Sequence, residues 1–358
     1  MKRRHWLHLA AGTWLPAALP AALQAAEPDA PGIRRGRVLQ FPRDHGAHPE
    51  TRTEWWYATG WLGAFDAPTH GFQVTFFRSR TGLAAELPGR FAPRQLLFAH
   101  AALTDLRAGT HRHADRIVRW SGDPADPLAV AATDDGDVRI GRWRLRHDGE
   151  AWQALIDDPE LPLQLRMQRT QPLLLQGDAG FSRKGPEEHQ ASHYVTEPQL
   201  AVQSPLGTGR AWLDHEWSDE ILHPEAVGWD WVGFNLADGS ALTAFQLRRA
   251  DGSALWAGGS WRPPGAAARA FDATEVQMQA GRVWTSGGSG ARYPLEWTLR
   301  CPAGEFTVRP LLDEQELDGR GSTGTIYWEG ISELLDARGA RVGLGYLELT
   351  GYAGRLRL

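Results

Sequence analysis

The chain has 358 residues, 42% of them apolar, with 17 Trp and 40 Gly. That is too long for one small barrel and suits two domains of ~150 residues each once a leader is removed. Without the first 26 residues, 35 basic side chains face 43 acidic ones, and no basic cluster is available to displace phosphate counterions, which argues against a nucleic-acid partner. The single cysteine, Cys301, excludes an internal disulfide and a cysteine-based zinc site.

The N-terminus reads as an address. Met1 to Arg4 is a charged n-region, Leu7 to Ala26 is rich in Ala and Leu, and an acidic, Pro-rich stretch from Glu27 to Pro31 follows at once, so cleavage is expected near Ala25 or Ala26. Arg3-Arg4-His5-Trp6-Leu7 matches the twin-arginine pattern, with Lys2 where Ser or Thr is common, which leaves twin-arginine and general secretion both open. Pro16 and Pro20 interrupt the apolar run, and no later segment approaches ~20 apolar residues. The expectation is a periplasmic or secreted protein without an integral membrane segment.

From Val38 onward, short alternating runs recur between Gly, Pro, Asn and Asp clusters, which is the pattern of half-buried antiparallel strands. In chain order they include Trp55 to Leu62, Gly71 to Arg78, Leu97 to Leu103, Val138 to Leu145, Trp152 to Ile156 and Leu163 to Thr170. Only the stretch from Ser332 to Ala337 suggests a short helix. The fold class is therefore all-β, a sandwich or barrel. A repeat runs through it: Trp55-Trp56-Tyr57 leads by way of Gly60 to a strand ending at Arg78, and Trp229-Asp230-Trp231 leads by way of Phe234 to a strand ending at Arg248. Tandem domains of one architecture follow. The join is expected at Ser204 to Gly209, which divides the chain into a signal peptide (1–26), an N-terminal domain (27–205) and a C-terminal domain (206–358).

Five strings carry a resemblance. They are Asp44 to Tyr57 (DHGAHPETRTEWWY), Phe98 to Asp105 (FAHAALTD), Trp212 to Trp217 (WLDHEW), Tyr327 to Gly330 (YWEG) and Gly345 to Tyr352 (GYLELTGY). Together they resemble the AttH / carotenoid-hydratase (CrtC) family. The resemblance implies two tandem lipocalin-like antiparallel β-barrels packed together, with the polar residues of these strings near a shared cavity. In the hydratases a His before the linker and an Asp after it are thought to protonate and hydrate a terminal alkene; the matching positions are His193 and Asp214. Trp212 stands where the hydratases usually have Tyr, and Val195 where they tend to have Trp. Asp214-His215-Glu216-Trp217 is closer to the AttH branch, and relatives of this kind are often linked with ABC-type export systems.

Read as chemistry, Asp214 and Glu216 share one face of a strand and His215 takes the other. Two carboxylates in an apolar cavity cannot both ionise comfortably, so one is expected to hold its proton and act as a general acid. Asp214 is the candidate acid, Glu216 and His193 would position water or accept the proton, and His215 would orient an acid. Trp212, Trp217, Trp229 and Trp231 would stabilise a carbocation, with Trp55, Trp56, Tyr57 and Tyr194 as further core and cavity wall. The same string also reads as a hydrogen-bonded hub, its acids paired with Arg78, Arg210 or Arg248. Glu54 is expected to pair with Arg52 or Arg78 and close the barrel.

His48 and His100, with His45 and His193, invite a metal, but their spacing matches no short zinc motif and no metal is expected. No Gly-x-Ser-x-Gly elbow, phosphate loop or dinucleotide fingerprint occurs, so neither a serine hydrolase nor a cofactor is implied. Two readings stay open: a cofactor-independent hydratase or isomerase acting on an apolar isoprenoid- or polyketide-like molecule, and a non-catalytic periplasmic carrier of a lipophilic ligand.

Overall fold

The structure, a computed structural model, describes residues 32–83, 92–220 and 222–356. The expected leader lies outside the described residues. Strands dominate. The first sheet contains β1 (Thr53–Gly63), β2 (Pro68–Arg80), β3 (Gln95–Asp105), β4 (Thr110–Trp120), β5 (Ala129–Ala131), β6 (Asp137–Ile140), β7 (Trp143–His147), β8 (Ala151–Ile156), β9 (Leu163–Gln168), β10 (Leu174–Leu175), β11 (Phe181–Arg183), β12 (Ala191–Ser204) and β13 (Gly207–Ser218). The second contains β14 (Ala226–Leu236), β15 (Ala241–Arg249), β16 (Ala254–Arg262), β17 (Arg269–Phe271), β18 (Gln277–Ala280), β21 (Trp297–Cys301), β22 (Gly304–Pro310), β23 (Glu316–Gly319), β24 (Thr325–Leu335) and β25 (Arg341–Leu349); β19 (Val283–Thr285) and β20 (Arg292–Pro294) form a separate hairpin.

Both sheets are wound the same way. In each, the first strand pairs antiparallel with the last, β1 with β13 and β14 with β25. The strand order then meanders outward in both directions, to β4 and β5 in one sheet and to β17 and β18 in the other. The first sheet curls until its edges β4 and β5 meet, giving the nearly closed barrel that removes exposed edges. The repeat seen in the sequence is this shared opening hairpin. A buried ion pair marks each copy: Arg78 Nε lies 2.8 Å from Glu54 Oε2, and Arg248 Nη1 lies 3.0 Å from Asp230 Oδ1.

Three local expectations are corrected. Ser204 to Gly207 is the turn of the β12–β13 hairpin inside the first sheet, not a linker, and the chain passes to the second sheet only between β13 and β14. Val138 to Leu145 is split into β6 and β7 by a turn at Gly141, whose φ of 59° suits glycine. Ser332 to Ala337 is not helical, since β24 continues to Leu335.

Side-chain alternation divides each strand between two environments. On β1, Trp56, Ala58 and Leu62 enter a core inside the first barrel with Phe72, Phe76, Trp143 and Trp152. Rings of that size each remove ~150–250 Å² from water, roughly 4–6 kcal/mol at ~25 cal/mol per Å². Val232, Phe234, Trp328 and Leu347 do the same inside the second. The opposite faces of β1, β13, β14, β24 and β25 meet in a third cluster that includes Tyr57, Trp61, Trp212, Trp231, Ile331 and Tyr346. Contact there is close: a Cβ at Gly71 would lie 2.8 Å from both Ile331 and the Tyr346 hydroxyl.

Candidate functional site

A cavity lies between the two barrels, bounded by the faces that point away from their cores. The first barrel contributes Thr53, Trp55 and Tyr57 from β1, Tyr194 from β12, and Asp214, Glu216 and Ser218 from β13. From the second come Trp229 and Trp231 of β14, Phe245 and Leu247 of β15, Tyr327 and Glu329 of β24, and Glu348 of β25. It encloses about 110 Å³, of the order of the ~150 Å³ dry cavity that accepts benzene. A ring-sized or isoprene-sized group fits within it.

Asp214 and Glu216 share this face, as alternation predicts. Tyr194 donates its hydroxyl to Asp214 Oδ2 at 2.6 Å, and Thr196 donates to Oδ1 at 2.5 Å. Burial pushes Asp214 up to about 7 against these two donors, because a carboxylate loses its hydration more than two hydrogen bonds restore. Glu216 is handled differently: Lys184 Nζ lies 2.9 Å from its Oε1. The arginines proposed as partners for these acids are engaged elsewhere, Arg78 with Glu54, Arg248 with Asp230 and Arg210 with the Gln199 carbonyl.

Two further acids face them, and the sequence reading did not select either. Glu329 and Glu348 are direct partners across the β24–β25 ladder. Burial, then the charge of Glu348, raises Glu329 well above the ordinary range; burial, opposed by a hydrogen bond from Trp229 and aided by the charges of Asp214 and Glu216, raises Glu348 to about 7. Like charges placed this close cannot both ionise cheaply. The phenols of Tyr57, Tyr194 and Tyr327 are held protonated by burial.

Of the other proposed site residues, Trp55, Tyr57, Tyr194, Trp229 and Trp231 line the cavity, and Trp231 Nε1 donates to the Tyr194 hydroxyl at 3.2 Å, tying one barrel to the other. Trp212 shares the strand face of Asp214 but packs edge-on against Trp231, beside the cavity. The remainder are corrected by strand parity. Trp56 enters the first barrel's core. His193 points opposite to Tyr194, tilts against Trp217 at 5.5 Å, and is held down to about 4 by burial and then by Arg37. His215 stacks on Trp56 at 4.7 Å, with Nε2 2.9 Å from Glu54 Oε1.

His215 and Trp217 belong instead to a polar hub at the end of the first barrel. His48 stacks on Trp217 at 3.8 Å, with Nδ1 2.7 Å from Glu54 Oε1 and Nε2 3.0 Å from Asp44. Arg78 reaches Glu54 and the His48 and Thr51 carbonyls. Burial alone would raise Glu54, but His48 and Arg78 hold it well below the carboxylate range. His48, Glu54 and His215 are close enough to share a cation, yet both Glu54 oxygens and each of these ring nitrogens already have protein partners, and Arg78 supplies the positive charge. The donor set fits an ion-pair hub. His100 is also structural: its Nδ1 lies 2.7 Å from the Tyr327 hydroxyl and its Nε2 2.8 Å from Ser322 Oγ, which positions Tyr327 at the cavity wall.

The sequence from residue 33 to 352 matches the profile of the AttH-like family. No curated protein matches the sequence. A solved AttH structure from Nitrosomonas europaea is 40% identical, with a TM-score of 0.80 over 90% of this chain and 99% of that one. Kievitone hydratase from Nectria haematococca is similar at 12% identity and a TM-score of 0.64, over 90% and 95% of the two chains. CghA with Sch210972 is similar at 15% and 0.52, over 86% and 90%. At such identities these last two likenesses are of fold.

Proposed function

The chain belongs to the AttH-like family, and we propose that it is a cofactor-independent hydratase or isomerase whose inter-barrel cavity takes the reactive end of an apolar small molecule. The observation that carries this reading is Asp214: a buried carboxyl facing an aromatic cavity, raised to about 7 with no cation as its partner. A group of that pKa is half protonated near neutrality, which suits a general acid.

In a hydration, Asp214 gives its proton to one carbon of the double bond, water adds to the other, and the proton that water sheds passes to the Glu329–Glu348 pair. In an isomerisation the same two acidic loci add and remove one proton. General acid catalysis of this kind contributes ~10²–10⁴-fold. Kievitone hydratase, by its name a hydratase, shares the fold and lends the reading support by analogy. The charged, Ala/Leu-rich leader supports an exported location, which cell fractionation checks.

The test incubates the protein with apolar cell extract in ¹⁸O-labelled water and follows products by mass spectrometry. A compound that gains labelled water, or one that rearranges at constant mass, in wild type but not in Asp214→Asn, is the expected result. Recovery of a stoichiometric ligand unchanged would favour the carrier.

A further inference from the structure

Outside its leader the chain holds one lysine. Of its 38 basic residues only Lys2 and Lys184 are lysines, and Lys184 is the one Lys or Arg among the described residues that line the cavity. It follows β11 directly, and its backbone N–H donates to the Gln190 carbonyl at 2.7 Å. Its Nζ stands 4.6 Å from the ring centre of Tyr194 and 4.2 Å from that of Phe245, so an aromatic face from each barrel cages it. A guanidinium is a flat fork, whereas an ammonium is a compact charge with three donors. Glu216 takes one of them. No other side-chain partner of Nζ occurs among the described residues.

This cation constrains the intermediate that the cavity can hold. Protonating an isolated alkene produces a carbocation, which needs free aromatic faces and no neighbouring positive charge. Here the faces of Tyr194 and Phe245 are occupied by Lys184, and the part of its charge that Glu216 does not neutralise would repel a carbocation beside it. An oxyanion is stabilised at the same place. Tyr194 joins the two functions, since its hydroxyl holds Asp214 and its ring holds Lys184.

Building on the acid/base reading of Asp214, we infer that the substrate is an apolar carbonyl compound whose oxygen docks on Lys184 and whose double bond is conjugated to that carbonyl, so that reaction runs through an enolate. In the hydration direction, water oxygen bonds to the carbon β to the carbonyl and the π electrons move onto the carbonyl oxygen at Lys184. The α carbon then takes the Asp214 proton as the C=O re-forms. The proton lost by the added water goes to the Glu329–Glu348 pair, and the net change is uptake of one water.

The probe is 4-nitrophenol, a one-ring oxyanion mimic whose phenolate is read by absorbance, compared with uncharged 4-nitroanisole and cationic phenyltrimethylammonium on the mature protein. Binding should lower the apparent pKa of 4-nitrophenol by about one unit or more, with affinity about tenfold above 4-nitroanisole. Both effects should vanish in Lys184→Met and strengthen in Glu216→Gln, which frees the ammonium. Tighter binding of phenyltrimethylammonium, binding of the phenol in its protonated form, or no binding of 4-nitrophenol overturns the inference. If Lys184→Met fails to fold, the wild-type comparison and Glu216→Gln decide it. Because the probes do not turn over, failure here leaves the Asp214 reading standing; failure of that reading shows as missing Asp214-dependent product with the phenolate preference intact.

Discussion

Tyr194 on β12 donates its hydroxyl to Asp214 on β13 at 2.6 Å, one of two hydrogen bonds that favour the ionised form of a carboxyl whose burial opposes ionisation. Removing the donor without disturbing the ring should therefore move the balance further toward the proton. Tyr194→Phe is expected to shift the alkaline limb of the activity profile upward by up to about one unit, as read from initial rates against pH. An unchanged limb would separate Tyr194 from the acid.

The same balance makes Asp214 costly to the fold. Its folded pKa of about 7 lies above the ordinary aspartate value of 3.8, so between those values the unfolded chain releases a proton that the folded chain retains. Stability contributed by this group is therefore intact below about 4 and declines as pH rises towards 7, by up to roughly 4 kcal/mol. Asp214→Asn removes the ionisation while keeping an oxygen for Tyr194. It should lose activity by ~10²–10⁴-fold yet melt at or above the wild-type temperature at pH 8, with less gain at pH 5. A lower melting temperature at both pH values would mean that Asp214 is a structural hub.

Glu329 and Glu348 face each other on adjacent strands and raise one another's cost of ionisation. At neutral pH the pair should retain a proton, visible as a protonated-carboxyl stretch in infrared difference spectra. Glu348→Gln should lower the pKa of Glu329 by removing a like charge. A spectrum without that band in wild type contradicts the pairing.

The hub around Glu54 predicts the reverse pattern. Arg78 is fully buried and shares Glu54 with His48 and His215, so Arg78→Met leaves buried charge uncompensated and should cost about 3–5 kcal/mol in denaturant unfolding. Because these groups face away from the cavity, the affinity for 4-nitrophenol should be unchanged wherever the variant is folded.

Much of this was legible from local pattern. Alternation placed Asp214 and Glu216 together with His215 opposite, because period-two geometry needs no knowledge of the rest of the chain; of the two arginines expected for Glu54, Arg52 and Arg78, only the fold selects Arg78. What escaped depends on docking. Glu329 and Glu348 lie in strings noticed for their resemblance, but which face of β24 and β25 turns toward β1 and β13 is set by how the barrels meet. His193 was chosen by its matching position; parity puts its neighbour Tyr194 in the cavity instead. Trp56 and Trp217 were grouped with Trp55 on aromatic character alone, although adjacent residues on a strand point to opposite faces. Lys184 carried a compositional signal, being the one lysine after Lys2, and counting Lys apart from Arg would have found it.

Asp214 holds a proton near neutrality inside the cavity, and a ¹³C NMR titration of the aspartate carboxyls, with its signal assigned by loss in Asp214→Asn, measures this. A midpoint near 7 is the predicted result; a midpoint in the ordinary aspartate range, about 4, would contradict it.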